Sequence, residues 1–253
     1  MSQVYGKEFA RIYNQMWGSF SVNAASHIMD FYRTRDIYKS NKNVLDVCCG
    51  TGQLALEFLK NDYHVTGIDF SPYMISYARE NTREFEKKGA VNFIEADASN
   101  FNLKREYGLA VSTYDSINHF ENKKAIKGCF NSVFQCIVKD GYFVFDLNTK
   151  EGLKRWNSTH IEDTENLLLI IKGIFDADSD KAITRISGFV KDEDSRYSRF
   201  EEIVHNYVYS LAEIKKMLLE TGWSQVNFTR LEDLNKNIDN PEKEDRIFIV
   251  AKK

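Results

Sequence analysis

No apolar run in the sequence approaches the ~18 residues that a membrane span needs. Neither C-x-x-C nor H-x-x-x-H occurs among its four cysteines and five histidines, so no compact metal or dithiol motif is spelled out. A metal site would have to be assembled from distant residues, and none is expected. A signal-peptide shape is missing from "MSQVYGKEFARIYNQMW", so a cytoplasmic protein with no membrane association is expected. Basic excess is missing too: the net charge of −3 leaves no broad footprint for nucleic acid. What remains is an ordinary soluble composition, 43% hydrophobic and 28% charged over 253 residues. That length suits one large domain, or one domain with an elaborated insertion.

The cysteines have little visible chemistry. Cys48 and Cys49 are neighbours and poorly placed to bond each other. Cys129 and Cys136 share a helical face, seven residues apart, which is too far for a bridge.

Strands and helices alternate after two N-terminal helices. "EFARIYNQMW" carries Phe9, Ile12, Tyr13, Met16 and Trp17 at helical spacing, and residues 20–39 read as a second helix. "NVLDV", "YHVTGIDF", "AVNFIEA", "YGLAVST" and "GYFVFDLN" read as five strands. Between them lie the helical stretches "GQLALEFLK", "PYMISYARENTREFEKK" (Ser71 as N-cap, Pro72 at its first position) and "NKKAIKGCFNSVFQCIV". This order predicts an α/β fold, a mostly parallel sheet with helices on both faces. After Thr149 the pattern changes. "ENLLLIIKGIF", "AITRISGFV" and "RFEEIVHNYVYS" read as three antiparallel strands, separated by the turn signals "DADSD" and "KDEDS". "SLAEIKKMLLETG" returns to helix, and "WSQVNFTRL" and "DRIFIVAKK" are two final strands around a polar loop.

The chemistry concentrates where "NVLDV" ends. A tight glycine turn between a strand and a helix presents backbone N–H groups to a ligand. Asp46 precedes that turn, Asp69 ends the second strand and Asp97 follows the third. In an open parallel sheet these positions share the carboxyl edge, where ligands bind. An adenosine-containing cofactor is therefore expected. "GTGQLA" also fits the dinucleotide fingerprint, which keeps a nicotinamide enzyme as a rival. An acid directly before the turn suits a cationic ligand better than a pyrophosphate.

"VLDVCCGTG", "VTGIDFSPYMISYAR", "FIEADASNF" and "GYFVFDLN" together resemble the successive motifs of class I S-adenosylmethionine-dependent methyltransferases, over most of the chain. The resemblance implies a Rossmann-like seven-stranded sheet with a reversed last strand, plus an inserted antiparallel β-flap after the fifth strand. It implies residues 1–150 as the S-adenosylmethionine-binding core with an N-terminal helical lid, 151–209 as the flap over the substrate site, and 210–253 as completion of the sheet. Asp46, Gly50 and Gly52 would shape the pocket for the methionine part. Asp69 would accept from both ribose hydroxyls, Phe70 and Met74 would flank the adenine, and Asp97 and Ala98 would contact it. Two departures stand out. Cys48 replaces the first glycine of the usual D-x-G-x-G-x-G, and Tyr107-Gly108 stands where an acid often follows an aromatic.

Methyl transfer requires alignment of a nucleophile and exclusion of water, and a protonated amine must also lose a proton. The fourth strand runs into "STYDSINHF", where Thr113 and Tyr114 would border the methionine group, followed by Asp115, Asn118 and His119. The arrangement resembles small-molecule N-methyltransferases acting on amino sugars, which implies Tyr13 near the methyl group and His119 as acceptor or relay of the amine proton. His205 and Tyr207 on the flap, and Trp17 and Trp156, are further candidates to line the pocket. The leading expectation is a methyltransferase for a small-molecule acceptor, acting on nitrogen, as a monomer or homodimer. O- or C-methylation and a non-catalytic S-adenosylmethionine-binding module stay open beside it.

Overall fold

The computed structural model describes residues 5–191 and 194–253. Of the expected "KDEDS" turn, Asp192 and Glu193 lie outside the described residues. In chain order the elements are α1 (Lys7–Met16), α2 (Ser19–Arg33), β1 (Asn43–Val47), α3 (Gln53–Lys60), β2 (His64–Asp69), α4 (Pro72–Asn81), α5 (Arg83–Lys87), β3 (Val91–Glu95) and β4 (Tyr107–Ser112). They continue with α6 (Lys123–Cys136), β5 (Ile137–Asn148), α7 (Lys150–Lys154), β6 (Thr159–Asp163), β7 (Leu167–Asp176), β8 (Lys181–Lys191), β9 (Tyr197–Tyr207), α8 (Leu211–Glu220), β10 (Gln225–Thr229) and β11 (Arg246–Lys252).

The main sheet has seven strands in the order β10-β11-β5-β4-β1-β2-β3. β1 to β5 pair in parallel, and β11 runs antiparallel to both β5 and β10. This is the expected mixed sheet with its reversed last strand. Alternation along the strands feeds two cores, one on each face. On β5, Phe143, Phe145 and Leu147 enter a core shared with Ile126, Phe130 and Val133 of α6 and Ile214 of α8. Val144 points the other way, toward Ile28 and Tyr32 of α2 and Phe58 of α3.

The second sheet is antiparallel, in the order β6-β7-β8-β9, and has one strand more than the three expected. β6 escaped because "THIED" is an edge strand, mostly exposed, with too few apolar residues to alternate. The helix expected over 20–39 stops at Arg33, and a short 3-10 turn follows over Asp36–Lys39. The long helix after Ser71 breaks at Thr82, whose hydroxyl bonds the Ala78 carbonyl at 2.7 Å. That local bond competes with the regular helical ladder. β5 starts earlier than "GYFVFDLN" suggested, directly where α6 ends.

α1 joins the two sheets. Its Phe9 and Ile12 are buried with Met74 of α4 and with Leu169, Ile186, Phe200 and Val204 of the second sheet. Burying two such side chains contributes on the order of 4 kcal/mol. Polar ties fix both ends of the segment. The Gly6 N–H donates to Glu202 at 2.8 Å. The Asn14 side-chain oxygen accepts from Gln53 at 3.1 Å and Asn81 at 2.7 Å.

Gly108 explains one of the sequence departures. A Cβ there would lie 2.0 Å from the Tyr32 hydroxyl, which donates to the Asn41 carbonyl at 2.7 Å. An acidic side chain has no room at that position.

Candidate active site

The turn after β1 is built on left-handed backbone. Cys48 has φ 60°, Gly50 φ 53° and Gly52 φ 76°. Left-handed geometry costs an ordinary residue roughly 1 kcal/mol and costs glycine nothing. This is the physical reason a glycine suits position 48, and it adds to the size argument read from the sequence. Cys48 lines a cavity of about 280 Å³, whereas Cys49 is buried in the α2–α3 core. All four cysteines are free. Burial, then the neighbouring Asp69 carboxylate, push the Cys48 thiol well above its ordinary value.

Asp69 ties β2 to this turn. Its two oxygens accept from the Gly50 N–H and the Ser71 N–H, each at 2.9 Å. A carboxylate offers about four lone pairs, so acceptor capacity is left for a diol. Burial raises the Asp69 carboxyl, opposed by hydrogen bonds from Ser71 and Gly50. Asp46 is 2% exposed, and its Oδ2 has no hydrogen-bond partner among the described residues. Burial and then Asp69 push its carboxyl well up. Two mutually repelling carboxylates in a water-poor site are relieved by a positively charged ligand.

Across the cavity stands a second turn, after β4. Tyr114 and Asp115 are both left-handed, with φ 68° and 51°, and such residues cost about 1–3 kcal/mol each and persist only where their surroundings over-determine them. The Asp115 N–H donates to Asp146 Oδ2 at 3.1 Å. Arg246 of β11 pairs with Asp115 at 2.8 Å and also with Asp146. Its guanidinium lies over the Phe20 and Tyr114 rings, 5.0 and 5.7 Å from their centroids. Burial pulls the Arg246 guanidinium down, but Asp146 and Asp115 outweigh it and hold the group above its ordinary value. Burial raises Asp146 to about 6, against the opposing pull of Arg246. With two carboxylates for one guanidinium, the cluster is ready to take up one proton.

The same turn carries His119. Its Nδ1 lies 2.9 Å from the His205 carbonyl of β9. A carbonyl only accepts, so Nδ1 holds the hydrogen and the neutral ring keeps its lone pair on Nε2. Asn118 donates to the Asn148 carbonyl at 3.0 Å and to the Tyr207 carbonyl at 3.1 Å.

The cavity brings together Tyr13, Cys48, Gly50, Asp69, Phe70, Met74 and His119, with Trp17, Trp156, His205 and Tyr207 also on its walls. Asp46, Gly52, Asp97, Ala98 and Thr113 do not line it. Asp46, Thr113 and Ala98 are buried, Gly52 abuts Ala78, and Asp97 accepts from the Ser99 N–H at 2.8 Å. Tyr13 passes over the glycine turn: a Cβ on Gly50 would meet its Cε1 at 3.7 Å. Burial, then Tyr114, push the Tyr13 hydroxyl well above its ordinary value, so it stays protonated. Sequence reading missed Tyr5, Phe9, Asn206 and Arg246 on these walls. Only Asp146, the single charge in the apolar strand "GYFVFDLN", signalled the Asp146–Arg246 pair, since Arg246 is one of several charges in "DRIFIVAKK". Among the described residues, no group of three His, Cys, Asp or Glu is placed to hold a metal ion. None of the described helices is long and apolar enough to cross a membrane.

Residues 44–141 match the family model described as a methyltransferase domain. The chain carries a methyltransferase domain. It is an S-adenosylmethionine-dependent enzyme, and S-adenosylmethionine is its cofactor. A protein of Geobacillus sp. (strain WCH70) named as a methyltransferase is 22% identical over 214 residues, covering 84% of this chain and 85% of the relative. In fold the chain is similar to an S-adenosylmethionine-dependent methyltransferase from Clostridium acetobutylicum ATCC 824, with TM-score 0.76, 23% identity and 97% of each chain covered. It is also similar to a sugar N-methyltransferase from Streptoalloteichus sp ATCC 53650, with TM-score 0.75 and 17% identity, covering 100% of this chain and 97% of that one.

Proposed function

We propose that this methyltransferase acts on the nitrogen of a small-molecule amine in the cytoplasm. The observation that carries the reading is the orientation of His119, whose Nδ1–H is spent on the His205 carbonyl while its Nε2 lone pair is left for a proton. An amine nucleophile needs that service, because its protonated form has no lone pair to donate. The likeness in fold to a sugar N-methyltransferase is consistent with nitrogen as the acceptor atom.

When bound, S-adenosylmethionine supplies a methyl group on an already activated sulfonium. Cys48 and Gly50 would hold its methionine part, with Asp46, Gly52 and Thr113 shaping that end of the site from behind the cavity wall. Asp69 would hold its ribose, and Phe70 and Met74 its adenine, with Asp97 and Ala98 shaping that end from behind the wall. Tyr13 closes over the glycine turn as a protonated hydroxyl that orients the reacting groups. His119 takes the amine proton at Nε2. Residues 1–150 serve as the cofactor core with α1 as its lid, residues 151–209 as the cover over the acceptor, and residues 210–253 as the completion of the main sheet. Exclusion of water by that cover favours alignment over hydrolysis.

A radiolabelled methyl-transfer screen with amines, phenols and carboxylic acids tests the reading. Labelled product from amines alone is expected. Labelled phenols or esters without labelled amines would replace nitrogen with oxygen as the acceptor.

A further inference from the structure

Asn206 is 1% exposed, lines the cavity, and has no hydrogen-bond partner for either side-chain atom among the described residues. A buried carboxamide with both ends unspent is costly, and folded proteins rarely keep one without a use. We propose that Asn206 is the acceptor-reading residue of the site, pairing with a neutral group on the acceptor that both donates and accepts a hydrogen bond, a hydroxyl or a carboxamide. This rests on the reading of the cavity as the acceptor site.

Three observations lead there. First, Asn206 sits on the inward face of β9, opposite Ala182 of β8, a side chain too small to fill the space or to bond the amide. Second, it is locked to the proton acceptor. The carbonyls on either side of it, His205 and Tyr207, take hydrogen bonds from His119 and Asn118. One rigid stretch of β9 therefore fixes both the imidazole and the amide, so a single acceptor can meet the two at once. Third, the walls discourage an anionic partner. Among the described residues that line the cavity, Arg246 is the only lysine or arginine, and it is already paired with Asp115 and Asp146. A phosphate beside the amine would find no unspent cation, whereas the Asn206 amide has both of its ends unspent.

The test uses three probes: 2-aminocyclohexanol, 2-aminocyclohexanecarboxamide and cyclohexylamine. Binding to the full chain saturated with S-adenosylhomocysteine is measured by calorimetry, for wild type and for Asn206→Leu. Wild type is expected to bind the hydroxyl or the carboxamide probe about tenfold more tightly than cyclohexylamine, as one to two added hydrogen bonds allow. Which of the two it prefers separates the sources. Asn206→Leu is expected to erase that preference, leave cyclohexylamine within about twofold, leave S-adenosylhomocysteine affinity unchanged and raise Tm, since an apolar isostere replaces an unpaired amide. A preference that survives Asn206→Leu overturns the proposal. So does a fall in Tm with equal loss for all probes, which marks a structural amide, or no probe binding at all. Because binding is read rather than turnover, a protein that binds the probes with this preference yet methylates none of them refutes the nitrogen-transfer reading and leaves the Asn206 assignment standing.

Discussion

His119 Nδ1 lies 2.9 Å from the backbone oxygen of His205, eighty-six residues away. The contact fixes one tautomer and couples the turn after β4 to the second sheet. An asparagine side chain has an N–H near the position of Nδ1 and nothing in place of Nε2. His119→Asn should therefore keep the turn docked and lose the proton acceptor. We expect kcat/KM for the methylated amine to fall about 10²-fold near neutral pH. The loss should shrink as pH rises and the free amine becomes abundant. Steady-state kinetics from pH 6 to 10 measure it, and a pH-independent deficit would assign His119 to positioning instead.

Asp69 accepts two backbone N–H groups with one carboxylate. Asp69→Ala leaves both donors unpaired beside the glycine turn. The expected outcome is at least a tenfold weaker affinity for S-adenosylhomocysteine by calorimetry, with a stability loss of about 1–3 kcal/mol by urea unfolding. An unchanged affinity would remove Asp69 from the ribose site.

Asp146 gives the protein a pH dependence with a defined sign. Its folded pKa, about 6, stands above the ordinary aspartate value of 3.8. The folded state therefore holds more protons than the unfolded state between those values, and stability falls as pH rises through that window. Asp146→Asn removes the titration. The stability of wild type relative to Asp146→Asn should drop by on the order of 1–3 kcal/mol between pH 4 and 6, then level off. Thermal melts across that range detect it, and a constant difference would place the proton elsewhere.

Cys48 lines the cavity with a thiol that burial pushes upward. The thiolate is the reactive form, so iodoacetamide should modify the native protein far more slowly than the unfolded chain. Excess S-adenosylhomocysteine should slow Cys48 labelling further, as peptide mass mapping will show. Equal rates with and without it would place the thiol outside the cofactor's reach.

The two halves of the site differ in how openly the sequence displays them. The wall built on the turn after β1 follows from local spacing, because each acid and glycine stands at the end of a strand whose apolar run is visible. Asp46, Gly50 and Asp69 are picked out by that rule alone, and of these Gly50 and Asp69 reach the cavity. The opposite wall is assembled from long-range contacts. Arg246 meets Asp115 across 131 positions, and Asn206 meets the turn of His119 only after β9 has folded back. Periodicity shows that β9 alternates, yet not which residue of the inward row faces the cavity. Cys48 shows a third situation. The sequence marks the missing glycine, but only the backbone angle says that φ, as well as size, sets the preference there.

The chain has three tryptophans, and they divide unequally. Trp17 and Trp156 stand on the cavity wall, while Trp223 is 1% exposed and packs against Phe134 and Phe143. The molecule thus has an optical reporter and its own reference. Emission from Trp17 and Trp156 should respond to filling of the cavity, with Trp223 as a steady background. Ligands can then be ranked on the unlabelled protein before any product is known.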